Sequence, residues 1–282
     1  MGLRINTNVA SLNAQRNLMS TKWGLDKSLE KLSSGYRINR AGDDAAGLAI
    51  SENLRAQIRG LKQASRNAQD GVSLVQVAEG GLNEISSIMI RLRELAVQSA
   101  SDTIGPVERQ FLNVEYDQLV SEVDRIAEGT EFNGTQLLSG TGSILDFQVG
   151  TRNDPNIDRL SFDASKADAN AAALGVNLTS VADKASAQNS LAAIDAAITS
   201  VSAMRADFGA IQNRLQSTIG NIAISVENMA AANSRIRDVD IAEETAEMTR
   251  NNIMLQAGTS VLAQANQSSN TALQLLNKSF QG

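Results

Sequence analysis

The chain has 282 residues, 42% apolar but only 3% aromatic, and its 25 basic and 31 acidic side chains leave a net charge of −6. That balance argues against a nucleic-acid backbone as the main partner, which would favour a basic face. Cysteine and histidine are both absent, which excludes disulfides, thiolate chemistry, zinc fingers and a histidine general base.

The first fifteen residues contain no apolar stretch of the kind a cleavable signal peptide needs, and Asn6 stands where a myristoylation site requires Ser or Thr. No run approaches the roughly 18 apolar residues of a membrane span. Ordinary secretion and membrane insertion are not expected, which leaves export by another route. Residues 3–33 read as an amphipathic helix. Ile5, Val9, Leu12, Met19 and Trp23 share a stripe that drifts to Leu18, Leu25, Leu29 and Leu32. A helix so rich in Asn, Ser, Gln and Thr is marginal alone, so its stripe calls for a partner, either on its own chain or formed on assembly. Gly35 and Gly42 then break the helix, and Asp43 or Asp44 is placed to cap the next one. A catalytic carboxylate pair would need a histidine, a metal cluster or a second motif beside it, so capping is the better account.

From Ala45 to Ser99 no proline intervenes, and Leu54, Leu61, Ala68, Val75, Leu82, Met89 and Ala96 recur every seventh residue. This predicts a helix roughly 80 Å long. Ser101–Pro106 reads as a turn with Pro106 at a first helical position. A third helix over 107–128, with Leu112, Tyr116, Leu119, Val123 and Ile126 on one seam, should fold back antiparallel. Phe132-Asn133-Gly134 is a turn. Alternation at Leu145, Phe147 and Val149, and again at Leu160 and Phe162, predicts a β-hairpin over about 143–163. Residues 163–190, rich in Ala, Asp and Ser, read as a short solvated connection, with Ser180 and Asp183 resembling a capping box.

The stretch 191–239 organises the chain. Ile194, Val201, Phe208, Leu215, Ile222, Met229 and Ile236 hold a strict seven-residue spacing, with Leu191, Ile198, Ile211, Ile219, Val226 and Val239 between them. A sustained apolar period near 3.5 calls for a long helix in a left-handed supercoil, roughly 75 Å long, paired with the earlier rod. After a charged junction, Arg235–Glu244, the spacing continues through Ile241, Met248, Leu255 and Leu262, then passes polar Ser269 before Leu276, and Gly258, Ala263 and Ala265 permit close helix approach. The expected fold is mainly α: an elongated, discontinuous helical bundle or coiled coil of N- and C-terminal segments with a small β-hairpin in the middle. Residues 1–44 with 240–282 would form a terminal coiled-coil domain and 45–239 a helical rod domain.

The segments Ile5–Leu18 (INTNVASLNAQRNL), Leu32–Ile50 (LSSGYRINRAGDDAAGLAI), Arg91–Ala100 (RLRELAVQSA), Phe132–Gly134, Gly209–Ile219 (GAIQNRLQSTI) and Gly258–Gln267 (GTSVLAQANQ) resemble bacterial flagellins, over roughly 1–150 and 185–282. The chain is similar to short members that lack large surface domains in the middle. The resemblance implies a structural subunit that self-assembles into the extracellular flagellar filament for motility. Its terminal helices, including Ile5, Val9, Leu12, Leu255, Leu262 and Leu276, would polymerise.

Implied partners are the chain itself, other flagellins, the flagellar cap, the hook-associated junction proteins and an export chaperone at the C-terminal helix, with type III export replacing a signal peptide. Host Toll-like receptor 5 is a further implied partner, because Arg91, Leu95 and Glu115 fall on the positions expected to matter. Two neighbours depart from the common pattern: Ile90 stands where Gln often sits, and Leu119 where Arg is frequent. No cofactor or nucleic acid is implied. The alternative is a hook–filament junction protein, which shares the terminal pattern; a secreted coiled-coil effector would not form filaments. With no histidine for an HExxH site and no P-loop, GxSxG or GxGxxG, enzyme activity is not expected.

Overall fold

The computed structural model describes residues 7–279, with side chains through Gln267; Ile5 and the side chain of Leu276 lie outside the described residues. Five helices dominate: α1 (Val9–Ser34), α2 (Ala45–Ser99), α3 (Pro106–Gly129), α4 (Lys184–Arg237) and α5 (Ile241–Ser279). Between α3 and α4 lie β1 (Glu131–Phe132), β2 (Thr135–Gln136), β3 (Ile144–Gln148), β4 (Arg159–Asp163) and one 3₁₀ turn, Ala164–Lys166. The chain divides into two compact units, one of residues 1–56 with 229–282 and the other of residues 57–228.

In the first unit α1 packs on α5 between Glu244 and Asn266. Asn8 caps α1 by accepting the Ser11 N–H at 3.1 Å, and Gly35 closes it at φ +74, a left-handed position that glycine adopts at little cost. The next helix is capped by Asp44, whose carboxylate accepts the Gly47 N–H at 2.8 Å. Asp43 does different work: it takes Lys27 Nζ at 2.8 Å and the N–H groups of Asn39 and Arg40. A β-bridge joins Tyr36 to Asp238, with Arg37 N–H donating to Arg237 C=O at 2.7 Å. The Arg237 guanidinium stacks on the Tyr36 ring at 4.6 Å and pairs with Glu52. Ile38 is the one apolar side chain in this unit, among the described residues, that is fully buried.

The second unit holds the core. The interhelical seam is built from Val75, Leu82, Met89, Ile194, Val201 and Leu215, each with no exposure, and from nearly buried Phe208 and Ile222. Of the remaining expected seam positions, Leu61 here and Leu54 and Met229 in the first unit are half-buried. α3 returns antiparallel to α2 and adds Tyr116, Val123 and Ala127. β3 and β4 pair antiparallel with Leu145 opposite Phe162 and Phe147 opposite Leu160. Phe147 lies on Gly71 of α2, where a Cβ would come within 3.1 Å of the ring, and Phe162 meets Phe208 of α4 with ring centroids 5.1 Å apart. β1 and β2 form a second, tighter hairpin around Asn133 (φ +51) and Gly134 (φ +76), the turn that Asn-Gly favours.

Residues 163–190 are not the expected solvated connection. Ala164, Ala167, Ala169, Ala171, Leu174, Val176 and Val181 are buried, and the backbone is tied down throughout. Ala169 N–H donates to Leu138 C=O, the Asp124 carboxylate accepts the Ala171 N–H at 2.7 Å, and Ser99 Oγ donates to Val181 C=O at 2.6 Å. Alanine's small volume lets this segment close against the helices where larger side chains would not fit, and its polar groups are satisfied on the way. Leu178 stands out from it at 91% exposure. Nor do Ser180 and Asp183 form a capping box. α4 starts one residue after Asp183, whose C=O accepts the Ala187 N–H, while Ser180 Oγ bonds Asn113 of α3 at 2.9 Å and holds the loop instead.

Candidate assembly and recognition surfaces

α1 presents two apolar faces. Ser11, Ala14, Leu18, Thr21, Leu25, Ser28 and Leu32 alternate at spacings of three and four and are the less exposed positions. On α5 the same pattern is carried by Glu244, Met248, Asn251, Leu255, Gly258, Leu262 and Ala265. The two run antiparallel: Lys31 Nζ pairs with Glu244 at 3.0 Å, and Ser11 Oγ donates to Asn266 at 2.9 Å. Asn8 Nδ2 donates to Ala265 C=O at 2.8 Å. A Cβ at Gly258 would lie 3.1 Å from Leu18 Cγ, and one at Gly24 would lie 3.2 Å from Asn251. Small residues thus set how closely these helices approach, which the sequence announced at Gly258 and Ala265 but hid at Ser11, Gly24 and Ser28, while Ala263, expected beside them, is exposed.

The second face of α1 is bare. Val9, Leu12, Met19 and Trp23 are 53, 52, 76 and 69% exposed, and on α5 Ile253, Met254 and Val261 are 61, 56 and 59% exposed. Leu255 and Leu262 are half-buried in the pair. The expected polymerisation residues therefore divide, with Val9 and Leu12 facing outward and Leu255 and Leu262 facing α1. Recurrent exposure of large apolar side chains along both helices marks surfaces that another molecule covers.

In the second unit the structure brings Arg91 and Glu115 together and keeps Leu95 apart from solvent. Arg91 Nη2 lies 2.7 Å from Glu115 Oε1 and Nη1 lies 3.0 Å from Glu94 Oε2, with the side chains of Arg91 and Glu115 about half exposed. Glu115 foremost, then Glu94, raises the Arg91 pKa. Leu95, one turn on, has no exposure and packs in the core. Ile90 is exposed beside them, and Leu119 is half-buried.

A groove of about 650 Å³ lies between the β3–β4 loop and the α4 face bearing Asn213, Ser217 and Asn221. Its buried carboxylate, Asp158, accepts the Asp154 N–H from its own loop. Among the described residues no group of three metal-ligating side chains converges, and no helix is long and apolar enough to cross a membrane.

Residues 5–143 match the bacterial flagellin N-terminal helical region, and residues 191–276 match the bacterial flagellin C-terminal helical region. The chain belongs to the bacterial flagellin family. Flagellin from Halalkalibacterium halodurans is 50% identical over 272 residues, covering 96% of this chain and 99% of that one. The crystal structure of Bacillus cereus flagellin superposes with a TM-score of 0.50 at 34% identity, over 60% of this chain and 94% of that one. A putative flagellar hook-associated protein from Vibrio parahaemolyticus superposes with a TM-score of 0.57, over 70% of this chain and 100% of that one. At 15% identity it shares the fold alone. The coverage at both ends agrees with a short family member in which β3, β4 and the buried alanine-rich segment are all that stands between the terminal helical regions.

Proposed function

We propose that this chain is the structural subunit that self-assembles into the extracellular bacterial flagellar filament, and that it acts by burying surface rather than by catalysis. The bare apolar side chains on both helices of the α1–α5 pair carry this reading. Val9, Leu12, Met19 and Trp23 on α1 and Ile253, Met254 and Val261 on α5 lie open on helices held by a seam of small residues. Burying each large apolar side chain contributes about 1.5–3 kcal/mol, so neighbouring copies stabilise in the polymer what one copy leaves marginal. The same marginality suits passage of the unfolded chain through a type III export apparatus. A chaperone on the C-terminal helix before export, and cap and junction proteins at assembly, are the partners such a surface needs.

The test is negative-stain electron microscopy after heat dissociation, cooling, and addition of filament seeds or a precipitating salt. Long tubes are the expected outcome; persistent monomer beside competent seeds would move the assignment to a hook–filament junction protein, whose fold the Vibrio structure shares.

Recognition by Toll-like receptor 5 belongs to the same proposal, with Arg91 and Glu115 forming the exposed contact and Leu95 setting the helix position behind them. Purified monomer should activate receptor-bearing cells, and a monomer that left them silent would remove the receptor from the account.

A further inference from the structure

The chain has seven methionines, and their environments differ sharply. Met89 has no exposure, and Met204, Met229 and Met248 are half-buried, whereas Met19 is 76% and Met254 56% exposed. Met1 lies outside the described residues. One exposed thioether stands on α1 and the other on α5, at the same level along the pair. The contacts of Leu18 with Gly258 and of Gly24 with Asn251 bracket both.

We propose that Met19 and Met254 are oxidation sites through which a peroxide controls polymerisation of the free subunit; the proposal rests on the reading of the uncovered sides of α1 and α5 as assembling surfaces. In the step, the thioether sulfur attacks one oxygen of the hydroperoxide. An S–O bond forms as the O–O bond breaks, the sulfur is oxidised to the sulfoxide, and the peroxide leaves as water after proton transfer. The product is a polar, hydrogen-bond-accepting group in the middle of an apolar stripe. A neighbouring copy that covers it must desolvate the sulfoxide without a donor to meet it, which opposes burial. Once assembled, the same burial shields the sulfur. The unassembled subunit is therefore the vulnerable form, and the filament, once built, is protected.

The experiment treats full-length monomer, and separately preformed filaments, with dilute hydrogen peroxide and quenches with catalase. Sulfoxide is located by peptide mass spectrometry, and polymer is measured by sedimentation after seeding. In monomer, Met19 and Met254 should oxidise ahead of Met89 and Met248, and the treated protein should lose most of its pelletable polymer. In filaments both should be protected. A Met19→Leu, Met254→Leu double variant keeps the stripe apolar and similar in volume, so it should polymerise after peroxide as before it. Methionine sulfoxide reductases added to oxidised wild type should restore polymer, a readout independent of how the variant folds. The proposal is overturned if the double variant is inactivated as fully as wild type, if wild type oxidised at both sites polymerises normally, or if reduction restores nothing. Failure of untreated protein to polymerise on competent seeds overturns the filament reading and this proposal together. Polymerisation of untreated protein beside an unprotected double variant overturns this proposal alone.

Discussion

Leu95 and Arg91 occupy neighbouring turns of α2, yet substitutions at the two positions should report on different things. Leu95 is fully buried, so Leu95→Ala should cost about 2–5 kcal/mol of stability and blunt receptor activation by disturbing the helix. Arg91 reaches Glu115 and Glu94 across exposed surface, where solvent screens ion pairs until they add little to stability. Arg91→Ala should leave the urea midpoint nearly unchanged and still lose receptor activation; unchanged activation would remove Arg91 from the contact. Asp43 is a second residue whose role is readable from its partners. Its hydrogen bond from Lys27 foremost, then those from the Arg40 and Asn39 N–H groups, lowers its pKa from 3.8 to about 2. A carboxylate depressed in the folded state contributes stability that is fully present above its unfolded value and is lost on acidification through its folded value. That contribution should therefore fade between about pH 4 and pH 2. Asp43→Asn should remove this component, measured as a flatter dependence of the urea midpoint on pH over that window.

At the scale of elements, the heptad seams of α2 and α4 show how strong a signal periodicity is. Phe208 is 1% exposed and stacks against Phe162, so Phe208→Asp should destabilise the second unit by more than about 4 kcal/mol through an unpaired charge in apolar surroundings. A variant melting like wild type would dissolve the seam assignment. These helices were legible in the sequence because seven-residue spacing survives whatever the partner is. The alanine-rich segment before α4 was not legible, because Ala169 or Ala171 reads the same in water as against a helix. What settles their burial is long-range, namely Leu138, Asp124 and Ser99 meeting the backbone of that segment. In the sequence the α1 stripe drifts as one surface from Val9 to Leu32. The structure divides it, because Ser11 and Ser28 are the small residues that fit against α5 while Met19 and Trp23 are not needed there. Trp23 is the chain's only tryptophan and is 69% exposed, so its emission should shift to shorter wavelength as polymer forms. An emission spectrum unchanged by polymerisation would mean that this face stays wet.

For the molecule as a whole, burial divides sharply between the two units. All the fully buried apolar side chains except Ile38, among the described residues, belong to residues 57–228. Limited proteolysis of monomer should therefore remove both terminal helical segments and leave a resistant fragment near those bounds, whereas filaments should resist along the chain. Uniform resistance of the monomer would contradict ordering coupled to assembly. The division into core and assembling face also explains why the family could be recognised from sequence while its surfaces could not. Core seams repeat, but which apolar residues remain uncovered depends on what a single copy already buries. The Leu178 protrusion has a practical side. Its neighbours Val176 and Val181 are anchored in the core while Leu178 itself points away from it. A foreign peptide grafted between Asn177 and Leu178 would interrupt the hydrogen bonds that the Thr179 N–H and Oγ1 both donate to the Val176 C=O, and hang clear of the packed segment. The free subunit thus carries a ready display platform for a cargo.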